Sequence, residues 1–164
     1  MMTLLLATPF LFGGEPHYWS YVDHITAKEN AYLKKKHKLS LTSTGGGGGS
    51  CVKNITQGYA APYPATIAEA RALIVEIADD LLREINAHSQ LRNHLSEYPF
   101  TAKGLHLTLH FRKHNAQTPP EKQITLVFLI NQKIYYHYPM DVYASPYGTA
   151  LVETFEEAKI LLRK

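Results

Sequence analysis

The sequence predicts an α+β fold, with a mostly antiparallel sheet of four to six strands and one long central helix packed across one face. Two adjacent patterns between residues 66 and 111 carry this prediction. In the first, apolar residues recur every three or four positions, which is the period of a helix with one buried face. In the second, Leu105 to Phe111, apolar and polar residues alternate strictly, as in a half-buried strand. The full order predicted is α-β-β-α-β-β-β-(β)-α.

The central helix has a clear start. Thr66 and Glu69 form a capping-box pattern, in which the hydroxyl accepts from a backbone N–H and the carboxylate reaches back to the cap. Asp79 and Asp80 resemble a catalytic pair, but adjacent helical residues point about 100° apart and do not converge. We therefore assign them to a solvated face. After this helix, Ser89 is expected to cap one more turn before the prolyl residue Pro99 ends helical structure.

The N-terminal residues favour an export signal. Leu4 to Phe12 is an apolar run that is too short to span a bilayer but has the length of a signal-peptide core. Small residues, Gly13 and Gly14, follow it. We expect residues 1–14 to be a signal segment and residues 15–164 to be a single α+β domain. The alternative is a buried N-terminal segment in a cytoplasmic protein.

A glycine run separates the first two predicted strands. Pro16 to Lys36 reads as a helix, and Lys38 to Thr44 and Val52 to Tyr59 read as strands. The run between them is most simply a flexible hairpin connection, because glycine tolerates turn conformations. It is also a backbone surface that a partner can approach closely, so we name these residues as candidate partner-binding positions: Gly45, Gly46, Gly47, Gly48 and Gly49.

The C-terminal third predicts the rest of the sheet. Ile124 to Ile130 is almost continuously apolar, which favours a central strand. A short turn leads to a strand at Ile134 to Tyr138, and Thr149 to Val152 is a further short strand before a terminal helix capped at Thr154. Residues 116–122 and 139–148 are predicted loops. Tyrosine suits a contact surface because its apolar ring carries a polar tip, and the candidate contact residues here are Tyr135, Tyr136 and Tyr138.

Several chemistries lack the residues that they need. The net charge of +3 comes without a stripe of Lys and Arg, so nucleic acid is not an expected partner. The glycine run lacks the lysine and helix start of a phosphate-binding loop. His106, His110 and His114 are spaced by four, but on a strand such neighbours stand about 13 Å apart and cannot share one ion. We expect no metal and no cofactor.

Two alternative functions remain open. The single cysteine, Cys51, cannot form an internal disulfide, but it could serve as a nucleophile if a histidine lies beside it. Lys34 to Lys38 would place a basic cluster at a helix C-terminus, where it could contact an anionic surface.

The segment EARALIVEIADDLLREINAHSQLRNHLSEYPFTAKGLHLTLHF resembles a group of small uncharacterised bacterial proteins, several of them from intracellular bacteria. The likeness rests on a helix that ends near Glu84-Ile85-Asn86, then Leu91-Arg92, Leu95 and Tyr98-Pro99-Phe100-Thr101, with a glycine-rich stretch upstream and a hairpin downstream. It implies a shared fold and an exported protein, and it implies no catalytic residue.

Together these observations predict a small exported protein without enzymatic activity, acting in the periplasm, at the envelope or at the host interface. Its partner would be an unidentified protein or small ligand, and no transmembrane span is expected.

Overall fold

The computed structural model describes residues 17–112, 123–138 and 148–163. The helices, in chain order, are α1 (His17–His37), α2 (Ile67–Ala87) and α3 (Phe155–Leu162). The strands are β1 (Ser40–Gly47), β2 (Asn54–Ala61), β3 (Ala65–Thr66), β4 (Leu105–Phe111), β5 (Gln123–Ile124), β6 (Leu126–Ile130), β7 (Lys133–His137) and β8 (Thr149–Thr154). Short 3₁₀ turns lie at Arg92–His94 and Ala102–Gly104.

The main sheet has six strands in the order β1-β2-β4-β6-β7-β8. All its neighbouring strands are antiparallel except β2 and β4, which run parallel. A parallel pair needs a long crossover, and α2 lies on that connection. β3 and β5 form a separate two-stranded sheet. The predicted α+β class and the mostly antiparallel sheet are confirmed. The inner position is confirmed for the part of the Ile124–Ile130 run that forms β6, which lies between β4 and β7.

The helices cover one face of this sheet. Tyr59 of β2 points its hydroxyl at Asn30 of α1, at 2.7 Å. Tyr136 of β7 lies under Arg71 of α2, with the guanidinium carbon 5.9 Å from the ring centroid. Alternate residues of the inner strands and one face of each helix form a single continuous apolar cluster. The core therefore lies between the sheet and the helical layer.

The two capping boxes form as predicted. At α2, the Thr66 hydroxyl accepts from the Glu69 N–H, and the Glu69 carboxylate accepts from the Thr66 N–H at 2.8 Å. Thr154 and Glu157 repeat the arrangement at α3. Ser89, in contrast, does not cap the turn after α2. That turn is a 3₁₀ helix whose N-cap is Leu91, and no side chain caps it.

The segment that carries the resemblance is held by local contacts. The Asn86 side chain donates to the Phe100 carbonyl at 2.9 Å and accepts from the Phe100 N–H at 2.7 Å. Arg92 donates to the Tyr98 hydroxyl at 2.9 Å, and its guanidinium lies over the Tyr98 ring. Leu91, between them in sequence, is buried. These contacts fix the path from α2 to β4, so packing accounts for this part of the pattern.

Strand boundaries differ from the prediction around the glycine run. β1 begins two residues later than expected, because Lys38 has a φ of 56° and breaks the extended path. It then continues through Gly45, Gly46 and Gly47, which pair with Thr56, Ile55 and Asn54. The run is therefore partly strand, and only its last glycines belong to the turn.

The Ile124–Ile130 run is also divided. Ile124 pairs with Ala65 in the small sheet, and the Thr125 N–H donates to the His137 carbonyl at 2.9 Å. The predicted signal segment and most of both predicted loops lie outside the described residues. Within the described ranges, no helix has the length and apolar character needed to cross a membrane.

Candidate functional site: the edge strand β1 and its pocket

β1 forms one edge of the main sheet. Of its residues only Gly47 is partly buried, and the others are exposed. Among the described residues, no strand pairs with its outer side. An edge strand directs one alternate set of N–H and C=O groups away from the sheet, so β1 presents a row of main-chain donors and acceptors to solvent.

This edge lacks most of the features that commonly prevent an edge strand from pairing with another chain. Proteins commonly protect edge strands with lysine, proline or a charged residue that points inward. The β1 sequence, SLTSTGGG, contains none of these. Leu41, which it also carries, is 44% exposed. Its only irregularity is a register shift between Leu41 and Ser43, so the glycine-bearing half pairs regularly with β2.

Two of the glycines are required by their surroundings. A methyl group at Gly46 would lie 2.5 Å from the Trp19 ring of α1, so the ring packs directly on the strand backbone. Gly48 has a φ of 138°, and a methyl group there would collide with the Cys51 carbonyl. Gly45 and Gly49 have open space at the same position. The run therefore combines positions where a neighbour packs closely on the backbone with positions where a side chain would meet open space.

A pocket of about 340 Å³ lies between β1 and α1. We call it the Trp19 pocket, and it is lined by Trp19, Val22, Asp23, Thr26, Thr44, Gly45, Gly46, Gly47, Gly48 and Gln57. Gln57 is only 1% exposed, and its amide nitrogen donates to the Thr44 hydroxyl at 2.7 Å. Its amide oxygen is buried and has no hydrogen-bond partner among the described residues.

The tyrosines of β7 are not all on one surface. Tyr136 is fully buried in the core, where its hydroxyl donates to Glu153 at 2.6 Å. Burial and this carboxylate raise the pKa of Tyr136. Its predicted place on a contact surface is wrong, because alternate residues of a strand face opposite sides. Tyr135 lies on the other face, stacked on Phe128 with ring centroids 4.8 Å apart. Tyr138 is partly buried against the core.

Cys51 lies in the turn between β1 and β2 and is partly buried. The histidine whose backbone adjoins it is His94, since the Val52 N–H donates to the His94 carbonyl at 2.7 Å. The His94 ring itself stacks on Tyr18, with centroids 4.7 Å apart. Within the described ranges no hydrogen bond joins the Cys51 thiol to a histidine. A thiol-dependent activity stays a prediction, which labelling of Cys51 by a thiolate-selective reagent at about pH 6 would test.

The basic cluster at the end of α1 is partly engaged. Lys36 forms an ion pair with Glu76 of α2 at 2.7 Å, which raises the pKa of the lysine. The Lys38 ammonium donates to the Lys35 carbonyl at 3.2 Å. Lys34 and Lys35 are exposed. Binding to an anionic surface stays a prediction that vesicle binding at low and moderate salt would test.

His106 and His110 lie on strand β4, as the sequence predicts. His106 is partly buried and His110 is exposed on the face opposite the core, and His114 lies outside the described residues. No group of three His, Cys, Asp or Glu side chains within the described ranges is arranged to hold a metal ion.

A larger groove of about 1100 Å³ lies between α2, α3 and the β6–β7 turn. Its charged side chains are partly paired, since Lys159 contacts Asp79 at 3.1 Å. The Asn86 amide that also lines it is used by the Phe100 backbone. No buried polar atom without a partner lies among its described lining residues, whereas Gln57 in the Trp19 pocket provides one.

In comparisons with protein-family models, curated proteins and solved structures, nothing matched the chain. The site therefore rests on its own geometry. Sequence reasoning found the glycines but missed Trp19, Asp23 and Gln57. The available signal was Gln57, a polar residue on the apolar side of β2 between Ile55 and Tyr59.

Proposed function

We propose that this protein is a non-enzymatic binding module that recognises an extended polypeptide segment by adding it as a further strand beside β1. The observation that carries the proposal is the exposed, uncharged edge with its glycine backbone. In this mode of recognition, main-chain hydrogen bonds supply affinity and pockets for alternate side chains supply specificity.

The surroundings of β1 support this use of the edge. Three of its residues are glycines, so a partner strand meets little steric obstruction along that half. The opposite side of β1 is anchored to β2 along most of its length, so the accepting strand is already extended. Such preorganisation lowers the conformational entropy lost on binding.

The setting of this module is part of the proposal. The apolar run before Gly13 and the resemblance to apparently exported bacterial proteins favour the periplasm, the envelope or the host interface. Extended segments of envelope or host proteins are then the partners that we expect.

A peptide selection tests the strand-addition mode. Random heptapeptides displayed on phage would be selected against residues 15–164, and the best sequences synthesised. Hydrogen exchange would then be measured for the amides of Ser40 to Gly47 with and without peptide. We expect slower exchange at one alternate set of these amides, since only the outward-pointing set gains acceptors.

Backbone methylation of the selected peptide supplies the control. Methylating alternate peptide nitrogens removes donors from one edge of the peptide only. One alternate set should abolish binding and the other should be tolerated. Selection of no peptide, or binding with unchanged β1 exchange, would show that the edge is not the contact surface. A concentration-dependent dimer with the same protection would assign the edge to a second copy of the chain.

A further inference from the structure

We propose that the Trp19 pocket selects a lysine or arginine side chain on the segment that pairs with β1. This inference rests on the proposed function, and it names the chemistry of the segment that the edge takes.

The charge of the pocket is the first argument. Asp23 is the only charged residue among the described residues that line it. Its carboxylate takes part in no ion pair within the described ranges, in contrast to Glu76 and Asp79 on α2. The group that complements this pocket is therefore a cation.

The buried amide is the second argument. The Gln57 amide oxygen accepts no hydrogen bond from any of the described residues, and a buried acceptor that is left unpaired is destabilising. The Gln57 amide nitrogen already donates to the Thr44 hydroxyl. The amide oxygen is therefore the atom that still needs a hydrogen-bond donor. Ammonium and guanidinium groups carry several donors, so one such group can supply both Asp23 and Gln57.

The walls of the pocket suit a long basic side chain. Trp19 is half-buried and presents an aromatic ring, which attracts cations and also packs against their apolar stems. The backbone of Gly45, Gly47 and Gly48 lines the β1 side of the pocket, on either side of the point where the ring packs on Gly46. The volume of about 340 Å³ is at the small end of ligand pockets, which fits one side chain better than a large cofactor.

The β1–β2 register shows that the pocket lies on a face of the sheet that side chains of an added strand can reach. Thr44 pairs with Gln57, and Gly46 pairs with Ile55. Directly paired residues share a face, and Gln57 and Ile55 are buried beneath the helical layer. Alternate side chains of an added strand would face this same side. A second copy of β1 offers no candidate for the pocket, because SLTSTGGG has no basic residue.

The test uses a peptide obtained in the selection above and variants of it. Lysine, arginine, norleucine and glutamate are placed in turn at each position, and dissociation constants are measured with residues 15–164 and with its Asp23→Asn variant. At one position we expect lysine or arginine to bind about tenfold more tightly than norleucine, as a charge-assisted hydrogen bond provides. Asp23→Asn should remove this difference, and the matched control Glu156→Gln, at an exposed position of α3, should preserve it.

The outcomes separate this inference from the proposed function. Lysine that binds no better than norleucine at every position, with β1 amides still protected, would overturn the basic pocket and leave strand addition standing. Failure of every peptide to protect β1 would overturn both. A single lysine capped at both ends has a side-chain amine but no extended backbone. If it binds as tightly as the peptide, the ligand is a small amine and not an extended segment.

Discussion

Glu29 is a buried acid at the contact between α1 and α2. It is 7% exposed, and one of its carboxylate oxygens has no hydrogen-bond partner among the described residues. Burial, together with the nearby carboxylates of Asp80 and Glu76, raises the pKa of Glu29 to about 7. Arg83 on α2 opposes this effect only in part. The folded protein therefore holds a proton here that an unfolded chain would release at lower pH.

Substituting this acid tests the consequence for stability. Between about pH 4.5 and pH 7 the folded chain binds more protons at Glu29 than the unfolded chain, so stability falls as the pH rises through this window. Above about pH 7, the buried charge of Glu29 lowers the free energy of unfolding by about 3 kcal/mol. Glu29→Gln should therefore raise the free energy of unfolding by about 1–3 kcal/mol at pH 8 and change it little at pH 4. Urea unfolding at both pH values measures this, and an equal effect at both would contradict it.

A second buried acid, Glu153, is fully paired. Arg71 donates to both of its oxygens, at 2.7 and 3.0 Å, and Tyr136 donates to it at 2.6 Å. This network joins α2 to β7 and β8. Glu153→Ala would leave the mostly buried guanidinium and the buried hydroxyl without their acceptor. We expect a loss of about 3–5 kcal/mol in the free energy of unfolding.

The control for Glu153 is an exposed ion pair. Lys28 contacts Glu84 at 2.9 Å, with 66% of the lysine side chain exposed. Lys28→Ala should cost less than about 1 kcal/mol, because surface pairs contribute little. Chemical unfolding of both variants at pH 7 compares them. Similar losses would show that the Arg71–Glu153 pair does not hold the sheet to α2.

At the scale of residues, the sequence predicts side-chain contacts that form within a few residues of each other. It does not predict which side chains the pairing of distant strands buries. Thr66 and Glu69 form their capping box from contacts within four residues, so the pattern was sufficient. Tyr136 was misplaced because Ile134–Tyr138 is apolar at most positions. The face of β7 on which Tyr136 lies follows from its pairing with Val127 and Leu151, which belong to other strands.

At the scale of elements, α1 and β1 pack against each other where Trp19 meets Gly46. The Trp19 ring occupies the space above Gly46, while Gly45 next to it has no neighbour at its Cβ position. The same substitution at these adjacent positions should therefore have opposite effects. Gly46→Ala should destabilise the protein by about 1–3 kcal/mol, as overpacking does. Gly45→Ala should be neutral or stabilising by up to about 1 kcal/mol.

Thermal unfolding of the two glycine variants, followed by tryptophan fluorescence, measures the difference. Trp19 is the single tryptophan of the chain, so its emission reports on this contact directly. An emission change in Gly46→Ala but not in Gly45→Ala would show that the ring packs on β1. Equal melting temperatures for both variants would contradict the packing.

The elements themselves were largely readable from periodicity, but their arrangement was not. α2 carries a clear apolar stripe, and β4 alternates, so each buries one face. Nothing in either pattern states that β4 pairs with β2 in parallel. The glycine run gave no side-chain periodicity, so its membership in β1 emerged only from backbone pairing.

On the scale of the whole molecule, the candidate site is a product of topology. Trp19 and Asp23 come from α1, Thr44 and the glycines from β1, and Gln57 from β2. These elements meet because β1 is placed at the edge of the sheet while α1 packs over the same end. Composition could indicate a contact surface, but it could not indicate that a polar amide and an acid would share one pocket.

The last prediction concerns which part of the chain is the mature protein. Every described element lies at or after His17, so the proposed domain of residues 15–164 retains all of them. If residues 1–14 are an export signal, the mature chain should begin near Gly13 to Glu15 in an exported fraction, as mass spectrometry of the N-terminus would show. The truncated domain should then unfold at the temperature of the full chain. A full-length chain in the cytoplasm, with a lower melting temperature on truncation, would make Leu4 to Phe12 part of the core. It would also move the search for extended partners to cytoplasmic proteins.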